Sequence, residues 1–109
     1  MTTPISSAVE TAVPPLTPRQ RIALRDLLHQ MWRDHVRDIT TLAVRFHESE
    51  EPAVAARLAH VRRKLVDVEA ALARLDSGSY GRCDGCERRM PFEQLEAVPD
   101  GRYCRRCRG

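Results

Sequence analysis

Two Cys-x-x-Cys pairs constrain this chain more than any other feature: Cys83-Asp84-Gly85-Cys86 and, after seventeen further residues, Cys104-Arg105-Arg106-Cys107. All four cysteines of the 109 residues lie in these pairs. A Cys-x-x-Cys turn aims two thiolates at one point. A second turn set against it closes the tetrahedral sulfur cage that Zn²⁺ prefers, with metal to sulfur distances of about 2.3 Å. The separation falls within the pattern of zinc sites, and no cysteine is left over. Cys83, Cys86, Cys104 and Cys107 are therefore the expected ligands of one Zn²⁺. Four thiolates fill every coordination position, so the metal would be structural and not catalytic. The competing reading, two disulfides, needs an oxidising compartment. Met1 to Leu16 has no basic start and no long apolar run, so nothing there marks the chain for export, and reduced thiols in the cytoplasm are expected. A redox Cys-x-x-Cys would want a strand and helix context of thioredoxin type, and a single pair would suffice for it.

With one Trp, two Tyr and two Phe, the chain cannot fill a large core, so an elongated or metal-stapled architecture is expected. No stretch approaches the eighteen or so apolar residues needed to span a bilayer, and no membrane partner is expected. The formal charge of +3 is too small to name a polyanionic partner from its sum alone.

Residues 1–16, rich in Thr, Ser and Pro and without apolar period, read as a disordered arm. Thr17-Pro18-Arg19-Gln20 then offers a hydroxyl cap, proline at the first helical position and Gln three residues after the cap, which is a strong helix start. Leu24, Leu28, Trp32, His35, Ile39, Leu42 and Phe46 recur at intervals of three or four, the period of one helical face, and predict a helix to about His47. Glu48-Ser49-Glu50-Glu51-Pro52 interrupts it. Val54, Leu58, Val61, Leu65, Val68, Leu72 and Leu75 then form an unbroken heptad pattern that stops near Asp76-Ser77-Gly78.

In an antiparallel hairpin the numbers of facing residues sum to a constant. Phe46 with Val54, Leu42 with Leu58, Ile39 with Val61, His35 with Leu65, Trp32 with Val68 and Leu28 with Leu72 each sum to 100, which centres the turn at Glu50, where the pattern breaks independently. The fold class expected is mainly α: an antiparallel coiled-coil hairpin over residues 17–77 with an acidic tip near 48–53, followed by a small four-cysteine zinc module over 78–109. A continuous dimeric coiled coil would have to pass through Pro52, at a cost of about 3 kcal/mol or more, so a monomer is expected.

His35 is the one polar residue on the first stripe and reads as a packing residue, as does Trp32. Arg62-Arg63-Lys64 makes a basic patch on the second helix, a candidate contact for phosphates or an acidic protein surface. From Gly78 to Gly109 there are seven arginines against five acids, and four thiolates with one Zn²⁺ would bring that segment near neutrality. That balance argues against a finger that reads a DNA sequence through a groove. At the tip, Glu48, Glu50 and Glu51 crowd three carboxylates, which helix capping could also explain. No nucleophile, open metal position or paired acid and base points to an enzyme.

The run Leu75-Asp76-Ser77-Gly78-Ser79-Tyr80-Gly81-Arg82-Cys83-Asp84-Gly85-Cys86, with Leu95-Glu96-Ala97-Val98-Pro99 before the second cysteine pair, resembles the DksA/TraR family of bacterial zinc-finger transcription regulators. The resemblance implies a hairpin that enters the secondary channel of RNA polymerase, with acidic tip residues acting near the active site. RNA polymerase would then be the partner, with no DNA sequence read. The family's tip pattern Asp-x-x-Asp-x-Ala is matched here as Glu48-x-x-Glu51-x-Ala53, with Pro52 inside it. Glu87 stands where a glycine usually follows the second cysteine, and Gln94 where an arginine usually precedes Leu-Glu-Ala. The alternative function is a zinc-stabilised nucleic-acid-binding or adaptor module using Arg62, Arg63 and Lys64.

Overall fold

The computed structural model describes residues 12–108. Of the arm expected over residues 1–16, residues 1–11 lie outside that range. Helix α1 spans Pro18–Ser49 and starts as its sequence dictates. The Thr17 hydroxyl accepts from the Gln20 backbone N–H and the Gln20 side chain accepts from the Thr17 N–H, both at 3.0 Å, a complete capping box. Its 32 residues give a rod of about 48 Å at 1.5 Å per residue. It ends at Glu50, whose backbone is left-handed (φ 53°) and whose N–H donates to Phe46 O at 2.7 Å. Helix α2, Pro52–Ser77, begins at once with Glu51 as N-cap. The reversal thus occupies two residues, at the centre that the facing sums require.

The α1–α2 hairpin makes the molecule long and thin, 69 × 29 × 20 Å. Its radius of gyration of 17.8 Å exceeds the roughly 13 Å of a compact chain of this length. Inside the hairpin the apolar contacts form two separate clusters. Towards the tip, Leu42, Val54, Leu58 and Val61 are buried, with Ile39, Ala43 and Phe46 against them. At the base, Leu24, Leu28, Val68, Ala71 and Leu75 join Tyr80, Cys83, Met90 and Leu95, so the hairpin and the cysteine-bearing segment share one core. Side chains fully buried there, such as Leu24 and Leu28, each contribute roughly 1.5–3 kcal/mol of transfer free energy.

Between the clusters the seam loosens. His35 and Leu65 are only half-buried, and His35 Nε2 is enclosed without a hydrogen-bond partner. Trp32, expected in the core, is 37 % exposed and its indole N–H donates to Glu69 Oε2 at 3.1 Å. Near the base the buried residue of α2 is Ala71, while Leu72 is half-buried. A straight α-helix drifts by about 20° per heptad against a strict seven-residue repeat, so a facing rule anchored at the tip loses accuracy towards the base.

The chain leaves α2 through Gly78, left-handed at φ 88°, a conformation that costs an L-residue with a Cβ and suits glycine. The N–H groups of Gly78, Ser79 and Tyr80 all point to Arg74 O, at 2.9, 3.0 and 3.1 Å. This turns Tyr80 back under the helix ends, where it is buried and its hydroxyl donates to Pro99 O at 2.8 Å. Two short helices follow, α3 (Phe92–Ala97) and α4 (Arg105–Arg108). Leu95 of α3 is buried in the base cluster and ties the segment to the hairpin. Leu16 packs on the same cluster from the other end of the chain.

Candidate metal centre and hairpin tip

The four thiols come together. Their sulfur atoms all lie within 4.8 Å of one another, and none is in a disulfide. Cys83 and Cys86 sit on a knuckle closed by an isolated bridge between Arg82 and Arg89, with Cys83 N–H donating to Arg88 O at 2.9 Å and Glu87 N–H to Cys83 O at 2.8 Å. Making that reversal tight puts Glu87 in the left-handed region at φ 64°. The glycine expected there by the family pattern is thereby explained, and this chain carries the strain of a side chain in its place. Cys104 precedes the single turn of α4 and Cys107 lies within it, with Arg108 N–H donating to Cys104 O at 2.9 Å.

The two halves are clamped by Asp84, whose N–H donates to Arg102 O at 2.7 Å and whose carboxylate accepts from Arg102 Nε at 2.8 Å. Gly85 permits their close approach: a Cβ there would stand 3.0 Å from Cys107 Sγ and 3.1 Å from Cys107 Cβ.

The electrostatics suit a cation. The backbone N–H of Cys104 donates to Cys83 Sγ at 3.2 Å and that of Gly85 at 3.3 Å. The Cys104 N–H foremost holds the Cys83 thiol down to about 6. The N–H of Cys107 likewise lowers Cys104. Cys107 is pushed up to about 12, first by its contact with Cys83 and then by Cys104. Four sulfurs this close cannot all ionise on their own, and a divalent cation is what relieves them. A tetrahedron with 2.3 Å metal to sulfur arms has edges of about 3.8 Å. The Cys86 Sγ to Cys104 Sγ distance is 3.8 Å, so the donor set and its spacing fit a tetrathiolate metal site.

The other residues singled out in the sequence are distributed over the hairpin. Glu48, Glu51 and Ala53 are exposed at its far end. Glu51 makes no side-chain capping bond, although it is the N-cap of α2. Glu48 lies in the last turn of α1, where the helix dipole disfavours a negative charge by about 0.3–1 kcal/mol. The charge of Glu51 still suits the dipole of α2, so helix-end effects account for Glu51 and leave Glu48 unexplained. Arg62 and Arg63 are exposed, but Lys64 is engaged within the chain: its Nζ lies 2.8 Å from Asp100 Oδ2, on a side chain 4 % exposed. The basic patch on α2 reduces to two arginines. Asp100 escaped sequence reasoning, because its partner is 36 residues away and no local pattern marks it.

No family model matches the chain. A protein of Bacillus subtilis described as uncharacterized, YteA, is 42% identical over 40 residues, which is 37% of this chain and 17% of that protein. The RNA polymerase-binding transcription factor DksA of Haemophilus influenzae is 32% identical over 87 residues, 79% of this chain and 59% of that protein. The chain thus spans less than two thirds of the length of these curated relatives. Among solved structures, transcription factor DksA2 from Pseudomonas aeruginosa superimposes with a TM-score of 0.76 over 84% of this chain and 81% of that one, at 20% identity. That likeness covers the hairpin fold. The sequence match over four fifths of the chain and the clustered cysteines support the resemblance to the DksA/TraR family, and the fold agrees with it.

Proposed function

We propose that this protein is a zinc-binding regulator of transcription that works by contact with RNA polymerase, with its hairpin inserted in the secondary channel. In this reading Cys83, Cys86, Cys104 and Cys107 hold one Zn²⁺ that fixes the base of the hairpin, and the metal has no open position for catalysis. The protein acts in the cytoplasm as a monomer, reads no DNA sequence and catalyses no reaction of its own.

The observation that carries the proposal is the pair of exposed carboxylates, Glu48 and Glu51, at the end of a rod one helix pair thick, with Glu48 held where the dipole of α1 disfavours it. A rod about 20 Å across, two helix diameters, can enter an opening that a globular domain cannot. Carboxylates delivered beside a bound Mg²⁺ or a basic wall act strongly there, because water is partly excluded and screening is weak. The helix sides then govern affinity and the tip governs effect. The reading that uses Arg62, Arg63 and Lys64 as an adaptor patch is weakened by the Lys64 to Asp100 contact.

The test is Glu48→Ala combined with Glu51→Ala. Polymerase binding should stay within a few fold of the parent protein, while the change in transcription from purified components should disappear. A double variant that regulates like the parent, or a parent that never binds polymerase, would reject the proposal.

A further inference from the structure

From Gly78 onward the segment holds seven arginines against five acids, before the charge of the cysteine thiolates is counted. Two of its five acids are consumed internally: Asp84 by Arg102, and Asp100 by Lys64, which comes from outside the segment. By contrast, Arg88, Arg105 and Arg106 have no ion-pair partner among the described residues. These three and Arg89 line a single open depression of about 520 Å³ beside Cys104, in which Glu93 is the one acid. Arg88 and Arg89 also line a second depression of about 290 Å³, which adds Arg82. Five exposed arginines therefore form one continuous face.

Two of them are pre-set by backbone carbonyls. Arg82 Nη1 donates to Glu87 O at 3.2 Å and Arg89 Nη1 to Val13 O at 3.3 Å. Each such bond leaves the remaining guanidinium N–H groups for an external acceptor. The planar fork of arginine matches phosphate oxygens two at a time.

We propose that this arginine face docks on the phosphate backbone of duplex DNA without reading its bases. Charge complementarity selects the partner: a duplex presents one negative charge per ~1.7 Å of axis, in two rows. No aromatic side chain lines either depression, so the base-stacking platform used for single strands is missing. The proposal goes beyond the polymerase reading and does not depend on it, since the face lies at the base of the hairpin and the tip residues take no part.

The test uses the zinc-loaded full chain and a fluorescein-labelled 20-base-pair duplex of mixed sequence, followed by anisotropy across salt concentrations. Binding should fall in the range of about 10⁻⁴–10⁻⁶ M usual for sequence-independent association. Arg88→Gln, Arg105→Gln and Arg106→Gln together should weaken it about tenfold or more at low salt. The slope of log affinity against log salt should fall by about 2.7, at ~0.9 for each phosphate that is no longer neutralised. The same three positions changed to Lys should bind within a few fold of the parent, and zinc content should be one per chain in every case. Four results would overturn the proposal: no duplex binding at about 50 mM salt, equal binding by the Gln variant, displacement of the duplex by polyglutamate as effective as by unlabelled DNA, or tighter binding of the single strand. Zinc loss in both the Gln and the Lys variants would also overturn it, by assigning the arginines to the metal site. Arg62→Gln with Arg63→Gln is the control and should leave binding unchanged.

Discussion

Breaking the Lys64 to Asp100 pair tests how the cysteine-bearing segment is held against the hairpin. Lys64→Met keeps the aliphatic stem and removes the ammonium, leaving the Asp100 carboxylate 4 % exposed with its ion-pair partner gone. Removing one member of a fully buried pair costs about 3–5 kcal/mol. The Lys64 side chain is 36% exposed, so solvent already screens part of the interaction, and a cost of about 2 kcal/mol is the reasonable expectation. For a chain of this size that corresponds to a fall of roughly 8 °C or more in melting temperature, measured by circular dichroism at fixed free zinc. Asp100→Asn should cost less, because it removes the buried charge and leaves behind an ammonium that is partly exposed. The double variant should recover part of the sum, because neither charge is then left alone, and a coupling of about 1 kcal/mol is expected. If Lys64→Met shifts the melting temperature by less than about 2 °C, or the two changes simply add, the ion pair is incidental and Lys64 returns to the exposed patch on α2.

Two further outcomes are expected. Cys104→Ser should abolish stoichiometric zinc, read by metal analysis, and release near-ultraviolet signal from Tyr80 and Tyr103, because a structural metal contributes folding free energy directly. Glu87→Gly should raise stability by about 0.5–1 kcal/mol: relief of a left-handed side chain is worth about 1–2 kcal/mol, partly offset by the freer unfolded chain. A melting temperature unchanged or lowered by Glu87→Gly would mean that the Glu87 side chain does something the backbone strain conceals.

The hairpin was legible in the sequence because two independent signals, the facing sums and the break before Pro52, agreed on one centre. The capping box at Thr17 followed from local chemistry, whereas α1 runs on to Ser49, past the stop expected near His47, so the reversal at Glu50 and Glu51 is tighter than the break over residues 48–52 implied. Trp32 was not legible. Helical spacing says which face a residue shares but not how far the seam has drifted, and an indole with a polar partner such as Glu69 is stable at the margin. The convergence of four cysteines could be read from spacing, since each pair carries its own turn. The clamps around them could not: Lys64 with Asp100 and Tyr80 with Pro99 join positions far apart in sequence, and their partners show no periodicity.

The separation of the apolar seam into two clusters has a mechanical meaning. A hairpin with one unbroken seam would open as a unit, and its far end could yield only by disturbing its base. Here the half-buried His35 and Leu65 stand between the tip cluster and the base cluster like a soft link between two stiff springs in series. Bending is then expected to concentrate near mid-rod, where fewer apolar contacts resist it, with the base cluster as the stiffer end. Such a molecule is a probe with a compliant shaft and a rigid handle.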